Sequence, residues 1–309
     1  DGNIFWAATS GGLFSWQEGS VIFAMFTSAE GLLSTDLTAV AVDKNGDVWT
    51  GTSGGMIHVY SPGNKTWRYV PDITTTTHTN KNINSILVSG DTMLICSEFG
   101  LSVFRNRQFQ FGDTYSKFGQ LSGNVRVSIT SAAIFGGRIW ATVSDRQVTN
   151  AIASASLSNP NLLPPEAWIL QAIGQTAPKS LVTFNGRLYA GTSGGVFVLS
   201  GSTWTAVDSL AGKNIVALSA SGSVLVAVDA GQVVYSLNAQ NVFQRIQPAL
   251  PVGANTIAQS AAGAPVIGST SGGIRTLTAG DWTTHFPNGP ASNQFISIAV
   301  DLDGHGAEG

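Results

Sequence analysis

The chain has 309 residues, of which 43% are hydrophobic and 11% charged, against about 25% charged in an average protein. Its 15 basic and 18 acidic residues give a formal charge of −3, and without a basic run this excludes the electrostatic footprint of a nucleic-acid binder. No uninterrupted apolar stretch approaches ~18 residues, so no membrane span is expected, and the lone Cys96 excludes an intrachain disulfide and reads as a small buried hydrophobe.

The first predicted strand runs from Ile4 to Ala8 and starts almost at once, as in a mature or trimmed product. Ser10-Gly11-Gly12 turns it back. The next repeat shows the plan most clearly. Leu37-Thr38-Ala39-Val40-Ala41-Val42-Asp43 alternates, with a small residue at every other place, which suits an innermost strand lining a crowded channel. Lys44-Asn45-Gly46 makes a tight turn, because Asn-Gly accepts positive φ. Val48 to Thr52 is a second strand, Ser53-Gly54-Gly55 a turn, Met56 to Tyr60 a third strand and Thr66 to Val70 an outer one.

Later segments follow the same grammar. Inner strands are predicted near 127–135, 180–184, 215–220, 256–261 and 295–301. Second strands carry Phe5-Trp6, Ile139-Trp140, Leu188-Tyr189, Val224-Leu225 and Val266-Ile267. Outer strands hold Phe23, Phe109, Trp168, Trp204, Phe243 and Trp282, large apolar residues suited to the wedge between neighbouring sheets.

Ser-Gly-Gly recurs at 10–12, 53–55, 193–195 and 271–273. Degenerate copies stand at Glu98-Phe99-Gly100, Ser144-Asp145 and Asp229-Ala230-Gly231. The seven units end at 12, 55, 100, 145, 195, 231 and 273. That spacing is the period of a four-stranded propeller blade. The predicted fold is all-β, a seven-bladed β-propeller of four-stranded antiparallel blades. The chain opens on a second strand and ends on the inner strand Phe295 to Asp301, so the C-terminal strand is expected to close the ring against the N-terminal blade. One domain is expected over 1–304, with 305–309 a frayed tail or expression remnant. The fourth unit departs from the pattern. Asp145-Arg146-Gln147 replaces the glycines, and a turn-rich excursion, Ser158-Asn159-Pro160-Asn161-Leu162-Leu163-Pro164-Pro165, follows.

The stretch from Gly31 to Gly55 closely resembles the two-component-regulator propeller repeat, with its Gly-Leu, an inner strand ending in Asp, a glycine turn, a Trp-containing strand and Gly-Thr. A second phrase is more particular. Asn80-Lys81-Asn82-Ile83-Asn84, then Ser97 to Phe104, then Gly112-Asp113-Thr114-Tyr115, with Ala155 to Leu162 and Trp168 behind, resembles the first propeller of the PorZ-type surface proteins of the type IX secretion system. The resemblance spans roughly 3–170. It implies an exported protein, at the cell surface or in the periplasm, that assists the sorting machinery and handles anionic lipopolysaccharide. It brings no catalytic motif with it.

The residues themselves offer little chemistry. His58, His78, His285 and His305 are scattered, with no two at metal-ligand spacing. No Gly-x-Ser-x-Gly elbow is present. Asp43-Lys44-Asn45-Gly46-Asp47 lacks the distal Glu of a calcium loop and reads as a β-turn. No metal, cofactor or catalytic residue is assigned, and the chain is read as a non-enzyme. The remaining signal is a surface. Loops 71–82 and 112–124 supply His78, Lys81, Tyr115, Lys117 and Phe118, a mixed aromatic and basic set that could bind a ligand. The leading expectation is an interaction module that contacts a protein partner of the secretion or sorting machinery, or a surface glycan. The alternatives are a periplasmic ligand-binding sensor propeller of a hybrid two-component system and a polysaccharide hydrolase or lyase. The last requires paired carboxylates or a histidine metal site at the channel mouth.

Overall fold

The computed structural model describes residues 4–119, 127–144, 150–174, 176–269, 272–287 and 295–301. Among the described residues are 28 strands in seven four-stranded antiparallel sheets. Blade 1 holds β1 (Ile4–Thr9), β2 (Gly12–Gln17) and β3 (Phe23–Phe26). Blade 2 is β4 (Leu37–Val42), β5 (Val48–Thr52), β6 (Ile57–Ser61) and β7 (Thr66–Val70). Blade 3 is β8 (Ile83–Ser89), β9 (Thr92–Ser97), β10 (Gly100–Arg105) and β11 (Gln110–Tyr115). Blade 4 is β12 (Ala132–Phe135), β13 (Arg138–Ser144), β14 (Asn150–Ser156) and β15 (Ile169–Ala172). Blade 5 is β16 (Pro178–Phe184), β17 (Arg187–Thr192), β18 (Gly195–Ser200) and β19 (Thr203–Ala206). Blade 6 is β20 (Ile215–Ser221), β21 (Val224–Asp229), β22 (Val234–Leu237) and β23 (Phe243–Arg245). Blade 7 is β24 (Ala254–Gln259), β25 (Pro265–Ser269), β26 (Ile274–Thr278) and β27 (Asp281–His285).

The last strand, β28 (Phe295–Asp301), completes blade 1. It pairs antiparallel with β1, placing Ile4 opposite Asp301 and Thr9 opposite Phe295. The two ends of the described chain therefore share one sheet, and the ring closes without an unpaired inner edge. The inner strands β28, β4, β8, β12, β16, β20 and β24 pack side by side around the axis.

The core is divided. Each of its seven apolar clusters lies in the seam between two neighbouring blades. The expected outer-strand aromatics do face these seams. Trp168 packs with Tyr115 and Phe118 between blades 3 and 4. Trp204 meets Trp140 edge-on at 6.0 Å between blades 4 and 5. Aromatic rings fill the widening wedge at little conformational cost.

Two local readings are corrected, and one turn is built differently from its siblings. Ala39 and Ala41 do not line the channel. They belong to the blade 2–3 seam, where small side chains let the blades approach near the axis. Blade 4's inner strand covers only 132–135, because the chain before it makes an isolated bridge, Ser128 to Ser144, in place of a full ladder. In blade 6 the left-handed residue is Gln232, at φ 65°, and not Gly231. Residues 145–149, Ser271, the region before Ile4 and the 302–309 tail lie outside the described residues.

Candidate functional site

Wherever it is described, the turn between second and third strands shares a face with the loop that leaves the outer strand for the next blade. The sequence shapes this face closely. Gly195 has φ 140°, and a Cβ placed there would sit 2.8 Å from the Leu210 carbonyl oxygen of the adjacent loop. Gly273 has φ 82° and a similar clash at 2.7 Å with the His285 carbonyl. Only glycine satisfies both the dihedral and the approach. A hydroxyl three or four residues earlier locks five of these turns. Thr9, Ser97, Thr192 and Ser269 donate to the carbonyls of Gly12, Gly100, Gly195 and Gly272, and Thr52 donates to that of Met56. In blade 6 Asp229 takes the place of the hydroxyl and accepts from the Val233 amide at 2.9 Å. This lock was readable as the Thr or Ser preceding each glycine unit, and the sequence reading passed over it.

The five predicted site residues do not form one patch. His78 stacks on Phe99, ring centroids 4.1 Å apart and planes 14° apart. The Lys81 ammonium donates to the Thr74 carbonyl, so it ties loop 71–82 to itself. Thr74, Thr75 and Thr76 hydroxyls also donate within that loop, to the carbonyls of Pro71, Asp72 and Ile73. Tyr115 and Phe118 are core residues, 8% and 0% exposed. Burial, and secondarily the Asp113 charge, pushes the Tyr115 phenol up. Lys117 is exposed. The aromatic half of the predicted set thus supports the blade 3–4 seam, leaving His78, Lys81 and Lys117 on the loops.

A polar belt around the channel mouth was not foreseen. Side chains at the start of the inner strands bond to the next blade. Thr38 donates to the Ile83 carbonyl at 2.6 Å, Asn84 to Ile129 at 2.8 Å, Thr130 to Lys179 at 2.9 Å and Asn255 to Phe295 at 3.1 Å. The Lys179 ammonium donates to the Asn214 side chain at 2.6 Å, and desolvation lowers its pKa. Glu98, which stands in place of the serine of the third unit, is buried there and accepts from Ser128 at 3.2 Å. Further along the axis the channel opens into a cavity of about 310 Å³ lined by Leu87, Val88, Ala132, Ile134, Leu181 and Val182, among others. Its wall is mixed, with Ser89 and Thr183 and polar backbone beside the aliphatic side chains.

Three further titratable groups, His58, Cys96 and Asp43, are held within the scaffold. His58 is fully buried. Its Nε2 accepts from the Leu33 amide at 3.1 Å, so Nδ1 carries the proton and faces Thr50 Oγ1 at 3.2 Å. Burial lowers its pKa to about 4. Burial pushes the Cys96 thiol up to about 12, which keeps it protonated and unreactive. Asp43 accepts from the amides of Asn45 and Asp47, which makes 43–47 a capped β-turn as expected. Among the described residues no three His, Cys, Asp or Glu side chains are grouped to hold a metal ion.

Residues 5–169, just over half of the chain, match the family described as the PorZ N-terminal beta-propeller domain of type IX secretion. No curated protein matches the chain. Among solved structures, PorZ of Porphyromonas gingivalis, described as an essential surface component of the type IX secretion system, matches with 15% identity and a TM-score of 0.73. The match covers 94% of this chain and 38% of that one. The extracellular domain of a protein assigned to a hybrid two-component system of B. thetaiotaomicron matches with 11% identity and a TM-score of 0.63, over 86% of this chain and 36% of that one. A protein of Bacteroides fragilis assigned as a 6-phosphogluconolactonase matches with 9% identity and a TM-score of 0.67, over 97% and 98%. At these identities the structural likenesses show the fold alone. The chain spans less than two fifths of the length of the first two.

Proposed function

The chain belongs to the PorZ N-terminal β-propeller family of the type IX secretion system, and from that membership we propose that it is a non-enzymatic interaction module, exported and working at the cell surface or in the periplasm. It presents the face of second-to-third-strand turns and blade-to-blade loops to a protein of the secretion or sorting machinery, or to an anionic surface glycan. The observation that carries this reading is the family match over blades 1–4. It is supported by the character of the 71–82 loop, whose Asp72, Thr75 and Thr77 are exposed on a backbone held by internal hydrogen bonds. The likenesses to the two-component domain and to the lactonase concern the fold and add no site.

The test is site-directed photo-crosslinking in a bacterium that carries type IX secretion. Crosslinking residues are placed at Asp72 and Thr77 on this face, and at Lys44 and Arg107 in turns on the opposite face. Adducts are expected from 72 and 77, and their sensitivity to protease or to glycan cleavage distinguishes the two partner classes. Adducts from 44 and 107 with none from 72 and 77 would overturn the assignment of the face.

A further inference from the structure

Arg275 is 8% exposed, in the middle of blade 7. The register sets it in a row with Ile257, Ile267 and Thr284. Ile257 and Ile267 belong to the cluster shared with Val226, Val228 and Val234 of blade 6. The guanidinium therefore enters the seam between blades 6 and 7. Its Nη1 donates to Thr284 Oγ1, while Nε is buried without a partner. The ion pairs among the described residues are Lys44–Asp91, Arg68–Asp47 and Arg107–Asp91, none of which includes Arg275. The sequence gives the reason. From Ala230 to Val300 the acidic residues reduce to Asp281, which pairs with Thr278 at the other end of the β26–β27 hairpin.

Comparison around the ring isolates the anomaly. The equivalent third-strand position holds Phe14, His58, Ser102, Phe197 and Tyr235 in blades 1, 2, 3, 5 and 6. Phe14 and Phe197 are apolar. His58 is bonded to Leu33 and Thr50, Ser102 to Thr114, and Tyr235 to Asp229 at 2.9 Å. Each polar occupant other than Arg275 has its complement. A guanidinium does not shed its charge in a protein, and a buried charge without a counter-ion is strongly destabilising. The unpartnered Nε is one of the donors with which a guanidinium grips a carboxylate or other oxyanion.

We propose that the seam between blades 6 and 7 is an oxyanion-binding site, in which Arg275 receives a carboxylate, sulfate or phosphate group and Thr284 fixes the guanidinium. The ligand is an inorganic oxyanion or the acid group of a sugar. The site lies on blades away from loop 71–82 and does not depend on the partner proposed for that face.

Thermal unfolding of the whole chain tests the site, in chloride, sulfate and glucuronate at matched ionic strength, for the wild type and Arg275→Met. Sulfate also stabilises proteins by exclusion from their surface, so the variant is the reference for each salt. At an oxyanion concentration 100 times Kd, the wild type is expected to gain about 4 °C that the variant does not. In chloride the variant is expected to melt at or above the wild type, because an uncompensated buried charge has been replaced by an apolar chain. A gain in both oxyanions marks a general site. A gain in glucuronate alone marks an acidic sugar, and in sulfate alone an inorganic ion. Equal salt responses of the two proteins would overturn the proposal. Should Arg275→Met fail to fold, calorimetric titration of sulfate and glucuronate into the wild type decides, and the absence of saturable heat from both refutes the site.

Discussion

Replacing Phe295 with alanine tests the closure of the ring directly. Phe295 is fully buried and opens β28, the strand that arrives from the far end of the chain to complete blade 1. It packs with Phe5, Phe14, Val266 and Ile274 across the blade 7–1 seam, its ring 5.9 Å from that of Phe14. Truncating a fully buried phenylalanine removes its transfer free energy and leaves a cavity, about 3–5 kcal/mol together. An unfolding entropy of roughly 2.1 cal/mol/K per residue, over 309 residues, is about 0.65 kcal/mol/K. The expected fall in Tm is therefore about 5–8 °C. Phe286→Ala is the control, since Phe286 is 54% exposed and should shift Tm by less than about 1 °C. Differential scanning calorimetry reads both, and limited proteolysis reports whether the β28–β1 seam opens first. A Phe295→Ala protein that melts within about 1 °C of the wild type would show that β28 does not hold the ring, and the closure argument would fail.

The scaffold yields three further expectations. Within one turn, Gly55→Ala should cost about 1–3 kcal/mol in urea unfolding, because Gly55 has φ 85° and a Cβ there would reach Ile73 Cγ2 at 2.5 Å; Gly54→Ala, with open space around it, should change stability by no more than about 0.5 kcal/mol. Equal effects would show that the motif is not read by conformation. His58 has a folded pKa near 4, below its unfolded value of 6.5, so the unfolded chain takes the proton first and stability falls as pH drops from about 6.5 to about 4, by about 3 kcal/mol in all. His58→Gln should flatten that part of the pH profile, and an unchanged slope would refute the buried neutral imidazole. Asp43 accepts from Trp49 Nε1 at 3.1 Å and from Asn106 of the next blade at 2.7 Å. Asp43→Ala strands both buried donors and should cost about 3–5 kcal/mol by the same measurement; a loss below about 1 kcal/mol would mean that water replaces the carboxylate.

The ring was legible because its signals are local. Asn45-Gly46, Ser53-Gly54-Gly55 and the alternation in β4 each encode a turn or strand within a few residues, and seven copies correct one another's faults. The site was less legible because its determinants are not local. Tyr115 and Phe118 read as a binding pair, yet both pack on Trp168, about fifty residues later in the chain. No spacing rule announces that contact. Gly231 ends its unit as Gly55 does, but the Asp229 side chain captures the Val233 amide and the positive φ falls on Gln232. Glu98 and Asn84 were visible as letters. Their bonds at the channel mouth follow only from the approach of blade 4 to blade 3.

The same contrast bears on how such a face would bind. The threonines and the lysine of loop 71–82 do not wait for a ligand to order them. Thr74, Thr75, Thr76 and Lys81 bond back onto the loop, and Ile73 plugs it onto Gly55 beneath. Ordering a mobile loop on association costs about 0.5–1.5 kcal/mol per immobilised side chain, and this loop has met that cost in folding. A face with 11% charged residues in its chain gains little from long-range steering. Its means of selectivity are shape and a few fixed polar groups. The repeats hold their turns with hydroxyls and glycines, so recognition falls to the positions where a blade departs from its siblings, such as Glu98 where four other units carry serine and Arg275 where the other blades carry no permanent charge.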